Sequence, residues 1–271
     1  MTDLALLDQE FDLRYRPQPG DRSHYRLTIV YQPLTSLGAR VHREEWAGDF
    51  ERLVEAVDGQ RVTETITWRH FSRRFADGDE EYGEAESFPW AEGLAYKFSA
   101  EDSYADFHWG YDHFPRDLMG FNAMLLTIDA HFEFDFLRSS HHGAIESLRR
   151  IGDRVVVPDT GTPFEIRFDP LIVTPGFNKQ NLRTGFEGIS QVDGEPTAIV
   201  SFDMDPSPFT MMLMENELSQ SSTFNGILTI RLSDGALERG SFCEYVFNSG
   251  GCINAVYELT RIDEARYASG A

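Results

Sequence analysis

The sequence predicts an all-β, mainly antiparallel fold: a single-domain barrel or curled half-barrel of roughly ten strands with one or two short helices. Three observations lead there. Apolar and polar residues alternate with period two over long stretches. Short turn motifs punctuate those stretches at close intervals. Helical spacing is sparse and never runs far.

Phe11 to Tyr15 is an extended aromatic run closed by Pro17-Gln18-Pro19-Gly20-Asp21. From Tyr25 to Tyr31, Tyr25, Leu27, Ile29 and Tyr31 alternate with Arg26, Thr28 and Val30, as a half-buried strand requires. Asp58-Gly59 separates residues 50–57 from 60–70 and is a strong hairpin signal. In the second arm Val62, Ile66 and Trp68 share one face, with Thr63, Thr65 and Thr67 on the other. Asp193-Gly194 and Asp234-Gly235 repeat the device, and residues 224–259 read as three or four consecutive strands in a meander. Helix is expected only at residues 143–150, where Ala144, Ile145 and Leu148 fall on one side, and at residues 208–219. There the run Met211-Met212-Leu213-Met214 suits a buried helix or a lining segment.

Residues 72–118 are acidic, aromatic and poorly periodic, which reads as irregular strands and long loops rather than a linker. No boundary or fixed-period repeat divides the chain, so residues 1–271 are expected to form one domain. An open sheet of that many strands leaves costly edges, and closing or curling it creates an interior that can hold a ligand. The expected architecture is similar to lipocalin-like and lipoprotein-carrier-like half-barrels in general outline only; no shared motif supports a closer relation.

Composition narrows the function. The 271 residues carry 45 acidic and 24 basic side chains, a formal net charge of -21, which disfavours nucleic acid and anionic membranes as partners. With 21 Phe, 10 Tyr and 4 Trp the chain can bury a real core. No run approaches the roughly 18 apolar residues of a membrane span. The first residues, Met1-Thr2-Asp3-Leu4-Ala5-Leu6-Leu7-Asp8, place acids where a signal peptide needs a basic region, so a cytoplasmic location is expected. Cys243 and Cys252 flank Asn248-Ser249-Gly250-Gly251. With Ser249-Gly250 at the hairpin tip, Phe247 faces Cys252 and Cys243 faces Val256. The sulfurs are then offset by about 13 Å along the strand, too far for a disulfide, and free thiols follow. Phosphate-binding loops, dinucleotide fingerprints, zincin motifs, serine-hydrolase elbows and Cys-x-x-Cys are all absent.

Three segments could carry chemistry. Residues 125–137 read as a strand with Asp129, His131, Glu133 and Asp135 on one face and Ile128, Ala130, Phe132, Phe134 and Phe136 on the other. Neighbours in such a row stand about 6.6–7 Å apart. They could move protons or ligate a divalent metal with help from His108, His113, His141 or His142; a sheet with one solvated face produces the same row with no function. Asp203 and Asp205 follow a strand at 198–202. They could share a proton or bind a cation, or merely mark the strand's end before Pro206. Residues 107–115 concentrate His108 and His113 with Phe107, Trp109, Tyr111 and Phe114, as an apolar-ligand pocket or a seal over a barrel mouth would.

Two functions fit. One is a cofactor-independent acid–base enzyme of isomerase, cyclase, hydratase or lyase type, acting on a small apolar molecule in the cavity. Asp129 or Glu133 would be its base, His131 the partner or acid, and Asp203 or Asp205 reserve acids. The other is a non-catalytic carrier of a small hydrophobic ligand. In either, the lining would draw on Trp68, Trp90, Phe98, His108, Trp109, His113, Phe121, Phe132 and Met212, with Arg69 available for a ligand carboxylate. No organic cofactor is expected, a divalent metal is possible, and the oligomeric state is open.

Overall fold

The computed structural model describes residues 4–59, 61–99, 134–135, 137–138, 145–157, 166–168, 171–174, 181–213 and 216–270. Among the described residues, fourteen strands form one antiparallel sheet. In chain order they are β1 (Arg22–Thr35), β2 (His42–Asp58), β3 (Arg61–Asp77), β4 (Glu86–Ser87), β5 (Ala95–Phe98), β6 (Arg154–Val157), β7 (Ile166–Phe168) and β8 (Leu171–Thr174). Then come β9 (Leu182–Val192), β10 (Glu195–Asp203), β11 (Ser207–Leu213), β12 (Asn216–Arg231), β13 (Leu237–Asn248) and β14 (Gly251–Ile262). The spatial order is β4-β3-β2-β1-β14-β13-β12-β10-β9-β6, with β5 also on β3 and with β11, β8 and β7 continuing from the first half of β12. The first and last strands of that path do not pair, so the sheet is curled and open: a half-barrel rather than a closed barrel.

The Asp193-Gly194 turn falls where the sequence places it, whereas the Asp58-Gly59 turn is shifted by one residue: Asp58 belongs to the β2–β3 ladder and the turn begins at Gly59. Asp58 pairs with Arg61 across a two-residue connection, and Val192 pairs with Glu195 around Asp193-Gly194. Both Asp193 and Gly194 have positive φ (50° and 90°), the backbone of a type I′ hairpin turn. β12, β13 and β14 are the meander read from the sequence. In their register Cys243 lies opposite Val256 and Cys252 opposite Phe247, and both cysteines are free.

Period two then decides what is buried. On β1, Tyr25, Leu27 and Ile29 face the concave side and are buried, while Arg26, Thr28 and Val30 face outward. On β3, Glu64, Ile66 and Trp68 are buried and Thr63, Thr65 and Thr67 lie on the other face. A bulge follows: two residues, His70 and Phe71, stand against the single Gly48 of β2. His70 takes a positive φ of 53° there. The extra residue keeps Phe71 buried beyond the bulge, as Trp68 is before it.

Three expectations are corrected. Residues 208–213 and 216–219 are not helical: they lie in β11 and at the start of β12, with Leu213 paired to Asn216. A short apolar run is the same in a strand and a buried helix, and here a second ladder on β8 uses the backbone groups of β11. Of residues 143–150 the structure describes 145–150, which hold a single 3-10 turn, Ile145–Ser147, with Ile145 and Leu148 buried. The strand read over residues 125–137 does not extend through its end, because Phe134, Asp135, Leu137 and Arg138 are helical. These residues are buried within the fold, and a helical turn satisfies its own backbone groups where no ladder partner is available.

One helix the sequence reading omitted, α1 (Glu264–Ser269), is capped at both ends. The Asp263 side chain accepts from Arg266 N–H, and Gly270 takes the left-handed conformation and donates to the Arg266 carbonyl. It lies against β1–β3: Tyr267 stacks on His24 at 4.4 Å, its hydroxyl donates to the Thr67 carbonyl, and its carbonyl contacts His70 Nε2 at 3.0 Å.

Candidate functional site

The strand registers set the concave side chains in transverse rows. One row crosses six strands: Phe75, Glu44, Tyr31, Ala255, Glu244 and Phe224 on β3, β2, β1, β14, β13 and β12. The next row inward is Arg73, Trp46, Ile29, Tyr257, Phe242 and Gly226, continued by Phe202 on β10. The third is Gly48, Leu27, Leu259, Gly240, Leu228, Val200 and Phe186. Burial falls toward the rim on β1, β2 and β13 and, beyond Ala255, on β14. Ile29, Trp46, Tyr257 and Phe242 are buried, whereas Tyr31, Glu44 and Glu244 one row out are half-buried, as is Ile253 beyond Ala255. The concave face is thus filled on one side and partly accessible at this rim.

The filling is visible at Gly240. A Cβ there would stand 2.4 Å from Cε1 of Phe134, so only glycine lets that ring reach the sheet. Phe134 packs edge-on against Phe242 at 5.0 Å. Beside it lies a buried ionic cluster. Arg52 Nη1 donates to both carboxylate oxygens of Asp135, at 2.8 and 2.9 Å, and Arg52 Nη2 pairs with Glu64. Arg138 donates to Asp135 Oδ1 at 2.7 Å, and its guanidinium stacks 4.1 Å from the Tyr15 ring. The Tyr15 hydroxyl donates to Glu64 Oε1 at 3.1 Å. Two guanidinium groups face two carboxylates, so the charge balances. Burial opposes the charge on Arg52, but Asp135 and Glu64 outweigh it and hold the guanidinium well above its usual pKa. Every acceptor is tied to a donor, which makes this a structural anchor and not a poised acid or base.

The rim has different chemistry. Glu44 pairs with His42 Nε2 at 3.2 Å and with Arg73 Nη2 at 3.3 Å. Arg73 in turn lies 5.2 Å from the Trp46 ring centroid, and Trp46 packs against Phe71 and Phe88 at 5.9 and 5.7 Å. Across the rim, Glu244 accepts from the hydroxyls of Ser222 and Tyr257, the latter at 3.1 Å. Tyr31 sits between the two acids, and burial, Glu44 and Glu244 together push its hydroxyl up to about 12. Trp46 is 2% exposed, yet its indole Nε1 has no hydrogen-bond partner among the described residues.

Of the site residues read from the sequence, Trp68 is on the concave face, donating Nε1–H to the Tyr96 hydroxyl at 3.1 Å. Trp90 is half-buried on a 3-10 turn (Pro89–Ala91) and packs against Phe71 and Phe88 at 5.9 and 6.0 Å. Arg69 is exposed, its guanidinium 5.2 Å from the Tyr267 ring, so it does not line the interior. Asp203 and Asp205 lie around Arg183, which pairs with both. Asn181 and Arg183 hold Asp205 below the ordinary carboxylate range, the opposite of what a proton-holding acid needs. Asp129, His131, Glu133, His108, Trp109, His113, Phe121 and Phe132 lie outside the described residues. So do His141 and His142; Met212 is placed on β11 by its backbone, and Phe98 on β5. Among the described residues no three His, Cys, Asp or Glu side chains are grouped to hold a metal ion, and no helix is long and apolar enough to cross a membrane.

The sequence reading passed over the rim residues Glu44, Arg73 and Glu244 and the anchor residues Arg52 and Glu64. A signal was there. Glu64 occupies the inward position between Val62 and Ile66, and Arg52 the inward position between Phe50 and Val54, so opposite charges interrupt the apolar rows of two neighbouring strands.

No family model matches the sequence, and no curated protein matches it either. Among solved structures, one of lipovitellin, described for its lipid–protein interactions, overlaps 91% of this chain at 10% identity and a TM-score of 0.47. This chain spans about a quarter (25%) of the lipovitellin chain. The β domain of the Bordetella autotransporter BrkA overlaps 89% of this chain and 99% of its own at 6% identity, with a TM-score of 0.34. A Bacteroides fragilis protein with a YmcC-like fold overlaps 94% at 10% identity and a TM-score of 0.23. Overlaps this loose carry no argument about function.

Proposed function

We propose that this protein binds a small, mainly apolar molecule against the rim of its concave face, as a carrier or binding protein and not as an acid–base enzyme. One observation carries the reading: on β1, β2, β13 and β14 together, the concave face passes from buried residues such as Ile29 and Trp46 to a half-buried rim in which Tyr31 and Ile253 remain as apolar surface. A concave apolar wall with a few fixed polar groups is what ligand sites are made of. Catalysis has weaker support, since the acids described on this face, Glu44, Glu64, Asp135 and Glu244, are all paired or hydrogen-bonded.

Titration with the uncharged fluorescent probe N-phenyl-1-naphthylamine tests this. Saturable binding of one probe per chain, weakened by about tenfold in Ile253→Asp, is expected. Absence of saturable binding, or binding indifferent to Ile253→Asp in a variant with unchanged circular dichroism, would overturn the reading.

A further inference from the structure

Resting on that reading, we infer that the rim site selects an uncharged amphiphile, such as a long-chain alcohol or monoacylglycerol, whose oxygen accepts a hydrogen bond from Trp46 Nε1. Two observations converge. The Trp46 indole is 2% exposed and packed between Phe71, Phe88 and the Arg73 guanidinium, yet its N–H has no acceptor among the described residues. An indole nitrogen is a donor only, and a buried donor without an acceptor is costly, so the site is completed by a molecule that brings one.

The second observation is charge. The two outer rows hold the carboxylates of Glu44 and Glu244 against the single guanidinium of Arg73, which is already paired with Glu44. An anionic headgroup placed there meets two carboxylates and no free cation of those rows. The carboxylates are themselves occupied by Arg73, His42, Ser222 and Tyr257, so a cationic head finds its counter-charges already engaged. A neutral hydroxyl or ester, with its chain toward the half-buried Tyr31 and Ile253, avoids both conflicts.

Competition against bound N-phenyl-1-naphthylamine tests this with 1-dodecanol, 1-monolaurin, dodecanoate and dodecane, on the intact chain and on Trp46→Phe, which keeps the ring but removes the donor. The alcohol and monoacylglycerol are expected to compete at least about tenfold more tightly than dodecanoate, and Trp46→Phe to erase about tenfold of the alcohol's advantage over dodecane. Equal competition by dodecanoate, or an unchanged alcohol-to-alkane ratio in Trp46→Phe, overturns the inference while leaving the binding reading intact. Failure of the probe itself to bind overturns both. Should Trp46→Phe not fold, the double variant Glu44→Gln/Glu244→Gln decides. It is expected to bring dodecanoate to within about threefold of dodecanol, and no gain for dodecanoate counts against the inference.

Discussion

Arg52 and Asp135 are 83 residues apart in sequence, and one guanidinium nitrogen of the first lies within 2.9 Å of both carboxylate oxygens of the second, out of contact with water. This pair ties the segment bearing Phe134 to the sheet.

Removing one partner strands the other charges. Asp135→Asn leaves the Arg52 and Arg138 guanidinium groups sharing Glu64 alone, and a destabilisation of about 3–5 kcal/mol is expected. Urea unfolding monitored by circular dichroism measures it. A loss under about 1 kcal/mol would mean that the cluster does not anchor the interior.

Gly240→Ala sets a methyl group where Cε1 and Cδ1 of Phe134 now lie, at 2.4 and 2.5 Å. Phe134 is fully buried against Phe242 and has little room to retreat. Thermal unfolding is expected to show a loss of about 1–3 kcal/mol, largely restored by the second change Phe134→Leu. Failure of Phe134→Leu to restore stability would separate the two residues.

The Tyr31 hydroxyl is held up to about 12 from an ordinary 10.0. A tyrosine whose folded pKa is raised favours the protonated fold, so its contribution to stability is intact below pH 10 and is lost as pH rises through about 12. Difference absorbance at 295 nm between the native protein and Tyr31→Phe is expected to show one tyrosine ionising near the upper value. In Glu44→Gln that step moves down. A Tyr31 step at the ordinary value would contradict the burial of the rim row.

The register of β13 and β14 sets Cys243 against Val256 and Cys252 against Phe247. Oxidation of the folded chain with diamide is therefore expected to leave two alkylatable thiols per monomer by mass spectrometry. An intramolecular disulfide formed without unfolding would mean that the hairpin slips in solution.

Local chemistry was enough to read much of this molecule from its sequence. Alternation identifies β1 and β3 and their inward faces, because a strand turns successive side chains to opposite sides whatever its neighbours are. The Asp193-Gly194 turn and the Ser249-Gly250 tip set their hairpin registers, including the cysteine offset, because a two-residue connection fixes which residues face each other. The composition likewise announced a β protein with a large aromatic core. Tertiary structure alone decided the rest. Whether Phe134, Asp135, Leu137 and Arg138 are strand or helix depends on their burial inside the fold, which no local pattern encodes. The bulge at His70–Phe71 keeps Phe71 buried and sets Arg73 beside Trp46, and it is visible only once β2 and β3 are paired. Glu44 and Glu244 lie 200 positions apart and become members of one row only because β1 and β14 join the two ends of the chain side by side. A site assembled across such a long-range pairing leaves no short motif behind, since its residues are neighbours in register and not in sequence.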